Sequence, residues 1–281
     1  WDVTTGKLVL PFLAQAGPIK NVGWSATGKH FASLCPADKE QPIRIWSAEG
    51  QPLPAPEARP NTDGMCWSPN GELLAIWGDG PAVRLWSIAQ EKTVVEFAEA
   101  SRVWHLAWSP DGQWVATDQG GIRLWRRDGT PDLFTEGGGR PPLFSPDSTQ
   151  LAAWELVIGV TNKTTRRFGP GPSNLGFYPL VWSSDSRHLL AIDLATLTCW
   201  DTETMTVASN SVILPDGQGA RITADGTLET TGPQAEQEII YIVEGPGGQQ
   251  KVYSPAEFRK LVADLPTSSS PGSNATATGS P

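Results

Sequence analysis

A short turn with the pattern Trp-Ser-x-x-Gly recurs along the chain and constrains the fold more than any other sequence feature. Successive copies lie 32 to 43 residues apart. The copies are WSATG at Trp24, WSPNG at Trp67, WSPDG at Trp108, the variants FSPDS at Phe144 and WSSDS at Trp182, and a worn LPDG at Leu214. Self-similarity with a period near 40 residues is the signature of a repeat architecture.

A second landmark follows each turn. It is an alternating segment, seen as IRIW ending at Trp46, VRLW at Trp86, IRLW at Trp125 and LTCW at Trp200, with VIGV ending at Val160 in the fourth copy. Alternation of apolar and polar residues with period two predicts a β-strand. The segments between the landmarks leave room for two more strands, so each repeat is predicted to hold four.

The turn residues indicate how the first two strands of each repeat are joined. Ser-Pro-Asp-Gly suits a type I turn, and Gly112 is predicted to take the left-handed backbone conformation that lets the strands pair beyond the turn. Ser148 and Ser186 replace this glycine in the fourth and fifth copies. We therefore expect more backbone strain in those two turns.

A four-stranded unit that repeats about every 40 residues predicts an all-β fold, a β-propeller of four-stranded antiparallel blades. About six blades and a partial one are expected, with a short C-terminal hairpin and helix. The predicted boundaries are 1–18 for the end of a preceding blade, 19–208 for five blades, 209–243 for a degenerate sixth, 244–265 for the hairpin and helix, and 266–281 for a disordered tail.

Composition narrows the functional classes. The formal net charge of −9 argues against broad nucleic-acid binding, which depends on Lys and Arg. No apolar run reaches the length of a membrane helix, so no membrane insertion is predicted. Cys35, Cys66 and Cys199 are odd in number and widely spaced, which predicts free thiols and not a disulfide framework or a zinc site. No cofactor is predicted.

The repeats resemble the WD-repeat β-propeller family over residues 1 to about 208. The chain departs from the family pattern in two ways. Ala14-Gln15 stand where the family often has Gly-His, and Trp-Asp occurs at Trp1-Asp2 and Trp200-Asp201 but not at the other repeats. The resemblance therefore implies the fold without the family's His–Ser–Trp–Asp hydrogen-bond network.

The C-terminal part is similar to the ends of large bacterial WD-repeat proteins, in which propellers are joined to a serine/threonine kinase or a sigma-factor-like module. Residues 238–254 read as a hairpin around GPGG. Ser254 and Glu257 then form a capping-box pattern that predicts a helix to about Ala263. The tail is rich in small polar residues and proline.

No metalloprotease, P-loop, serine-hydrolase, EF-hand or kinase motif is present, and three scattered histidines offer no nucleophile–base pair. We therefore predict a non-catalytic scaffold that binds a protein or peptide. Alternatives are a propeller of the Tol or oligopeptidase type, a regulatory module of a bacterial kinase or sigma-factor fusion, and an enzyme with a channel pocket. We also expect a cytoplasmic location, and a fragment of a longer polypeptide with a further domain upstream.

Five residues are predicted to form a partner-binding ring at one mouth of the channel, on the side with the longer loops. Each lies five residues before the turn serine of its repeat, and equivalent positions in a propeller are related by rotation. They vary in type, which suggests freedom from packing demands, and include residue types that dominate interface energetics. The five are Lys20, Asp63, Trp104, Arg140 and Tyr178.

Overall fold

The structure is a computed structural model of the 281-residue chain. It describes residues 4–8, 15–57, 62–78, 82–98, 101–136, 140–168, 178–193, 196–213, 218–225, 227–232, 239–244, 250–254, 256–257, 260 and 276–279. The described residues are nearly all β, and the predicted fold class, four-stranded antiparallel blades of a β-propeller, is confirmed.

The first three blades are regular four-stranded sheets in which each strand pairs with the next along the chain. Blade 1 consists of β1 (Asn21–Trp24), β2 (His30–Leu34), β3 (Ile43–Ser47) and β4 (Pro52–Leu53). Blade 2 consists of β5 (Gly64–Trp67), β6 (Leu73–Trp77), β7 (Ala82–Ser87) and β8 (Lys92–Ala98). Blade 3 consists of β9 (His105–Trp108), β10 (Trp114–Asp118), β11 (Gly121–Arg126) and β12 (Pro131–Glu136).

The recurring turn joins the first two strands of each blade as the sequence predicts. In blade 3, the backbone N–H of Gly112 donates to the Ser109 carbonyl at 2.9 Å, and the Ser109 hydroxyl accepts from the N–H of Trp114 at 2.9 Å. Gly112 has a φ of +68°. Ser148 and Ser186 take the same conformation, with φ of +63° and +59°. The strain predicted at these two serines is therefore present, because side-chain-bearing residues rarely adopt positive φ.

Blade 2 packs against its two neighbours through apolar side chains on both faces of its sheet. One core, between blades 1 and 2, joins Leu34 and Ile45 to Leu74 and Trp86. A second, between blades 2 and 3, joins Leu85 to Val115 and other buried residues. The inner strands β1, β5 and β9 lie next to each other in this order. Burial on both faces explains why few charges occur within the strands.

The fourth blade contains two antiparallel strand pairs. In the first, β13 (Leu143–Phe144) pairs with β14 (Gln150–Ala153), and in the second, β15 (Leu156–Gly159) pairs with β16 (Thr165–Arg167). The chain divides into two compact units within this blade. Unit 1 comprises 1–153 and 160–163, and unit 2 comprises 154–159 and 164–281.

Unit 2 contains a six-stranded antiparallel sheet. Its strands are β17 (Tyr178–Trp182), β18 (His188–Asp193), β19 (Thr196–Asp201), β20 (Thr206–Ile213), β21 (Gly219–Thr223) and β22 (Leu228–Thr230). The structure differs here from the predicted separate sixth blade over residues 209–243. β21 pairs with the second edge of β20, over Ser209–Ile213, and β22 pairs with β21, so both strands continue the same sheet.

The C-terminal residues form a hairpin of β23 (Ile239–Glu244) and β24 (Gln250–Tyr253), as the sequence predicts. The capping box is also present, since Glu257 accepts from the backbone N–H and the hydroxyl of Ser254, both at 2.8 Å. Of the predicted helix, Ala256, Glu257 and Lys260 are described, and they are helical.

Within the predicted disordered tail, Thr276–Gly279 form β25 and pair with the free edge of β23. An unpaired strand edge offers backbone partners to any extended segment within reach. The tail therefore supplies a strand despite its small polar composition. The remaining predicted tail residues lie outside the described part.

Candidate interaction surface

The inner strands of blades 1 to 3 are entered at equivalent backbone positions. The N–H of Lys20 donates to the carbonyl of Leu34 at 2.8 Å, and the N–H of Asp63 donates to Trp77 at 2.9 Å. The N–H of Trp104 donates in the same way to Asp118 at 2.8 Å. Three of the five predicted ring residues thus occupy matching places. We call Lys20, Asp63, Arg102 and Trp104 together the strand-start surface.

Asp63 connects three blades at this surface. One carboxylate oxygen lies 3.2 Å from the Lys20 ammonium of blade 1, and the other accepts from Nε of Arg102 at 2.6 Å, just before blade 3. The Asp63 side chain is 20% exposed, whereas those of Lys20 and Arg102 are 48% and 58% exposed. One partly buried carboxylate therefore holds two exposed cations, and the solvent-facing charge of the surface is positive.

Trp104 presents its side chain to solvent on a fixed backbone. It is 63% exposed, and its indole makes no hydrogen bond or ring contact within the described residues. Its carbonyl accepts from the indole N–H of Trp77 at 3.3 Å. The next residue, His105, contacts the fully buried Asp118 carboxylate at 3.0 Å. The indole is thus held at a defined point without being covered.

Two glycines of blade 2 make room for this arrangement. A Cβ on Gly64 would lie 2.2 Å from the Trp77 ring. Gly78 has a φ of +99°, and a Cβ there would lie 2.3 Å from Cβ of Asp63. Neither position can carry a side chain without moving Trp77 or Asp63, so the surface depends on close backbone approach beneath it.

The other two predicted ring residues are placed less completely. Arg140 is half-buried, in the segment that leads into β13 of unit 1. Tyr178 begins β17 of unit 2, where its backbone pairs with Ile192. The side chain of Tyr178 lies outside the described residues. The described contacts bring Lys20 and Asp63 together directly, and Trp104 joins them through Trp77.

Sequence reasoning missed Arg102 and Trp77. Arg102 lies two residues before Trp104, so in an extended segment both side chains point to the same side, and that spacing could have identified it. Trp77 ends β6 and carries no repeat landmark. Its hydrogen bond is to a residue of the adjacent blade, and no pattern within its own repeat indicates that contact.

A groove of about 1130 Å³ lies on the opposite, turn-bearing side of blades 1 to 3, beside Thr27, Asn70 and Gln113. Two of its cations are already paired. Arg126 lies 3.4 Å from Asp132, and Arg127 lies 3.1 Å from Glu72. Its lining tryptophan, Trp114, is only 7% exposed, so the groove lacks the solvent-exposed indole that Trp104 gives the strand-start surface.

Metal and thiol chemistry have limited support in the residues that the structure describes. No group of three or more His, Cys, Asp or Glu side chains among them could hold a metal ion. The three cysteines are free thiols, as predicted, with Cys35 buried and Cys66 and Cys199 partly buried. Desolvation raises the pKa of Cys66 to about 12, which favours an unreactive thiol. Within the same described residues, no helix is long and apolar enough to span a membrane.

Comparisons with known proteins fit this fold. A family model described as eukaryotic translation initiation factor eIF2A matches residues 3–129, a little under half of the chain. Coronin-7 of Homo sapiens is 29% identical over 143 residues, which cover 46% of this chain. A probable cytosolic iron-sulfur protein assembly protein 1 of Cryptococcus neoformans is 56% identical over 45 residues, 15% of the chain. These matches support a WD-repeat family.

The matched stretches are short relative to those proteins. They span 10% of the length of the fungal protein and 15% of the length of Coronin-7. The relatives named here are fungal and human, and the bacterial origin inferred from the C-terminal resemblance stays a prediction.

Proposed function

We propose that this chain is a non-catalytic interaction module that binds a protein or peptide partner through the strand-start surface of its blades. The observation that carries the proposal is Trp104, a 63% exposed indole held on a hydrogen-bonded backbone beside two exposed cations. Tryptophan and arginine dominate interface energetics when a partner covers them.

The fold supports a binding role over a catalytic one. Repeat architectures with rigid blades carry function in the loops at their ends, and the strand-start surface lies at such an end. The described residues include two carboxylate–imidazole contacts, His105–Asp118 at 3.0 Å and His188–Asp185 at 3.8 Å. We propose a cytoplasmic setting, in keeping with three free cysteines.

Affinity capture tests the proposal with a matched pair of tryptophan variants. Wild type, Trp104→Ala and Trp24→Ala are immobilised and exposed to a lysate of the source cells. Trp24 is 57% exposed and lies at the turn end of β1, so its replacement removes a similarly exposed indole elsewhere. Proteins lost with Trp104→Ala and retained with Trp24→Ala support the surface. Equal capture by all three contradicts it.

The absence of catalysis is tested separately. Purified protein is screened against esters, phosphoesters, peptides and glycosides, and no turnover above background is expected. Turnover that disappears with a single substitution at His105 or His188 would show an enzyme, because a contaminant would not respond to either change.

A further inference from the structure

We propose that the strand-start surface recognises an acidic peptide segment, with a side-chain carboxylate of the peptide on Arg102 and Lys20 and an adjacent apolar side chain on Trp104. This inference rests on the proposed function, because it names the chemistry of the partner for the same surface. Three features of this surface support it: an excess of hydrogen-bond donors, a positive local charge and an exposed apolar side chain.

The donors of the surface outnumber its acceptors. A guanidinium carries five N–H groups and an ammonium three. Arg102 uses its Nε and Nη2 on one oxygen of Asp63, and Lys20 contacts the other oxygen. Both oxygens of Asp63 are engaged by a cation, whereas the side chains of Lys20 and Arg102 are 48% and 58% exposed and have further N–H groups to donate. The surface therefore has spare donors and a net positive charge, a combination that favours an anionic acceptor over a neutral one.

The local charge directs an anion to this place. Two cations around one carboxylate leave a positive spot on a chain whose formal net charge is −9. The net negative charge of the chain opposes the approach of an acidic segment, and these two cations attract it, which favours binding at this place in one orientation. A basic segment would be attracted to the protein in general but would meet two cations at Trp104.

Trp104 adds the apolar part of the recognition. An exposed indole offers a large rigid surface to an apolar or aromatic side chain, and covering it is worth more than a rim charge. The hydrogen bonds from Trp77 and to Asp118 hold the Trp104 backbone before any partner arrives, so less order must be gained on binding. A carboxylate next to a large apolar residue matches both features.

A phosphate backbone would also fit two cations, but the observations favour a peptide. Nucleic-acid affinity grows with the number of Lys and Arg that displace counterions, and this surface has two on a strongly acidic chain. Binding of a nucleic acid at this surface is therefore one of the outcomes that the experiment distinguishes.

The experiment pans a random 16-residue peptide display library against the full 281-residue chain. Clones that bind wild type and not Trp104→Ala are expected to be enriched in Asp or Glu next to Phe, Leu or Trp. The strongest clone is then synthesised, and its affinity is measured by calorimetry. Arg102→Gln should weaken binding about tenfold, and Asp63→Asn should strengthen it severalfold by removing the competing carboxylate. Affinity should also fall as salt is raised.

Controls keep the result interpretable. Arg126→Gln removes an arginine of similar exposure, 55%, that is also paired with one carboxylate, and it should leave peptide binding unchanged. Thermal unfolding is recorded for each variant, and Trp104→Phe and Arg102→Lys replace any variant that does not fold. These milder changes should weaken binding less than alanine or glutamine does.

The outcomes separate this inference from the proposed function. Trp104-dependent clones that are neutral or basic, or a loss of affinity with Asp63→Asn, overturn the acidic partner and leave the interaction surface standing. No Trp104-dependent clone at all overturns both. A single-stranded oligonucleotide that binds this surface more tightly than every selected peptide would also overturn the acidic peptide as its ligand.

Discussion

The Lys20 ammonium lies 3.2 Å from the Asp63 carboxylate across 43 positions of sequence, and the two residues enter the inner strands of neighbouring blades at the same register. The contact is exposed, and exposed ion pairs contribute about 0–1 kcal/mol to stability. Asp63 is nevertheless packed tightly against Gly78. The pair and the packing beneath it should respond differently to substitution.

We expect Lys20→Gln to change the free energy of unfolding by less than about 1 kcal/mol. Gly78→Ala should cost about 2 kcal/mol or more, because φ is +99° and the new Cβ would overlap Asp63. Urea unfolding of both variants measures the difference. A larger loss with Lys20→Gln than with Gly78→Ala would show that the ion pair is structural.

Two tryptophans of blade 3 should separate binding from stability. Trp104 is 63% exposed, whereas Trp125 is 3% exposed, stacks on Phe97 and donates to the Thr117 hydroxyl at 3.1 Å. Trp104→Ala should leave the unfolding free energy within about 0.5 kcal/mol of wild type, and Trp125→Ala should lower it by about 3–5 kcal/mol. If Trp104→Ala destabilises the protein as strongly, the indole serves packing and the proposed surface falls.

The blades could be predicted because the residues within each repeat specify the turn that joins its first two strands. Ser109 and Gly112 specify a turn that closes by local hydrogen bonds, and the alternation ending at Trp125 specifies a strand with two faces. The replacement of the turn glycine by Ser148 and Ser186 likewise predicted backbone strain at these two positions. The worn LPDG near 214 lacks the Trp-Ser pair, and there the predicted separate blade gives way to an extension of the preceding sheet.

The candidate site was only partly predictable. Register alone placed Lys20, Asp63 and Trp104 at matching positions, since it depends on counting from the turn serine. The contacts of Asp63 with Arg102 and of Trp77 with the Trp104 carbonyl join different blades. Such contacts depend on the distance between adjacent sheets, and the sequence of a single repeat does not specify that distance.

Positive φ at a residue with a side chain should be a local source of instability. Glu91 is exposed in the turn between β7 and β8 and has a φ of +51°. Glu91→Gly should therefore raise the unfolding free energy by about 0.5–1 kcal/mol. Gly28→Ala is the reverse test, since φ is +68° with open space around the Cβ, and it should cost about 1 kcal/mol. Thermal unfolding of both variants decides, and a stabilising Gly28→Ala would contradict the argument.

Asp201 should contribute to acid sensitivity in unit 2. Burial opposes its ionisation, but the backbone N–H of Thr204, the Arg187 guanidinium and the N–H of Glu203 outweigh burial and lower the pKa to about 2. A lowered pKa gives stability that is present above the ordinary value of 3.8 and is lost as pH falls towards 2. Asp201→Asn should cost roughly 1–2 kcal/mol at pH 7 and much less at pH 2. An equal cost at both pH values would contradict the assignment.

Cys66 should behave as a protected thiol with an effect on alkaline stability. Desolvation raises its pKa from 9.0 to about 12, so at pH 8.5 the native thiol is almost fully protonated. In the unfolded chain, with the ordinary pKa of 9.0, roughly a quarter of the same thiol is ionised at that pH. Iodoacetamide should modify native Cys66 at least about a hundredfold more slowly than unfolded Cys66, as followed by peptide mass spectrometry.

The sign of the pH effect follows from the same shift. Well below pH 9 both states hold the proton, and as the pH rises through about 9 towards 12 the unfolded state releases it while the native state retains it. The unfolding free energy should therefore fall over this interval. Cys66→Ala removes the contribution of this thiol, so its unfolding free energy should decline less steeply with pH than that of wild type. The other groups that titrate at alkaline pH are the same in both proteins. A decline of identical slope in the two proteins, or rapid native alkylation at pH 8.5, would show that the Cys66 thiol is open to solvent.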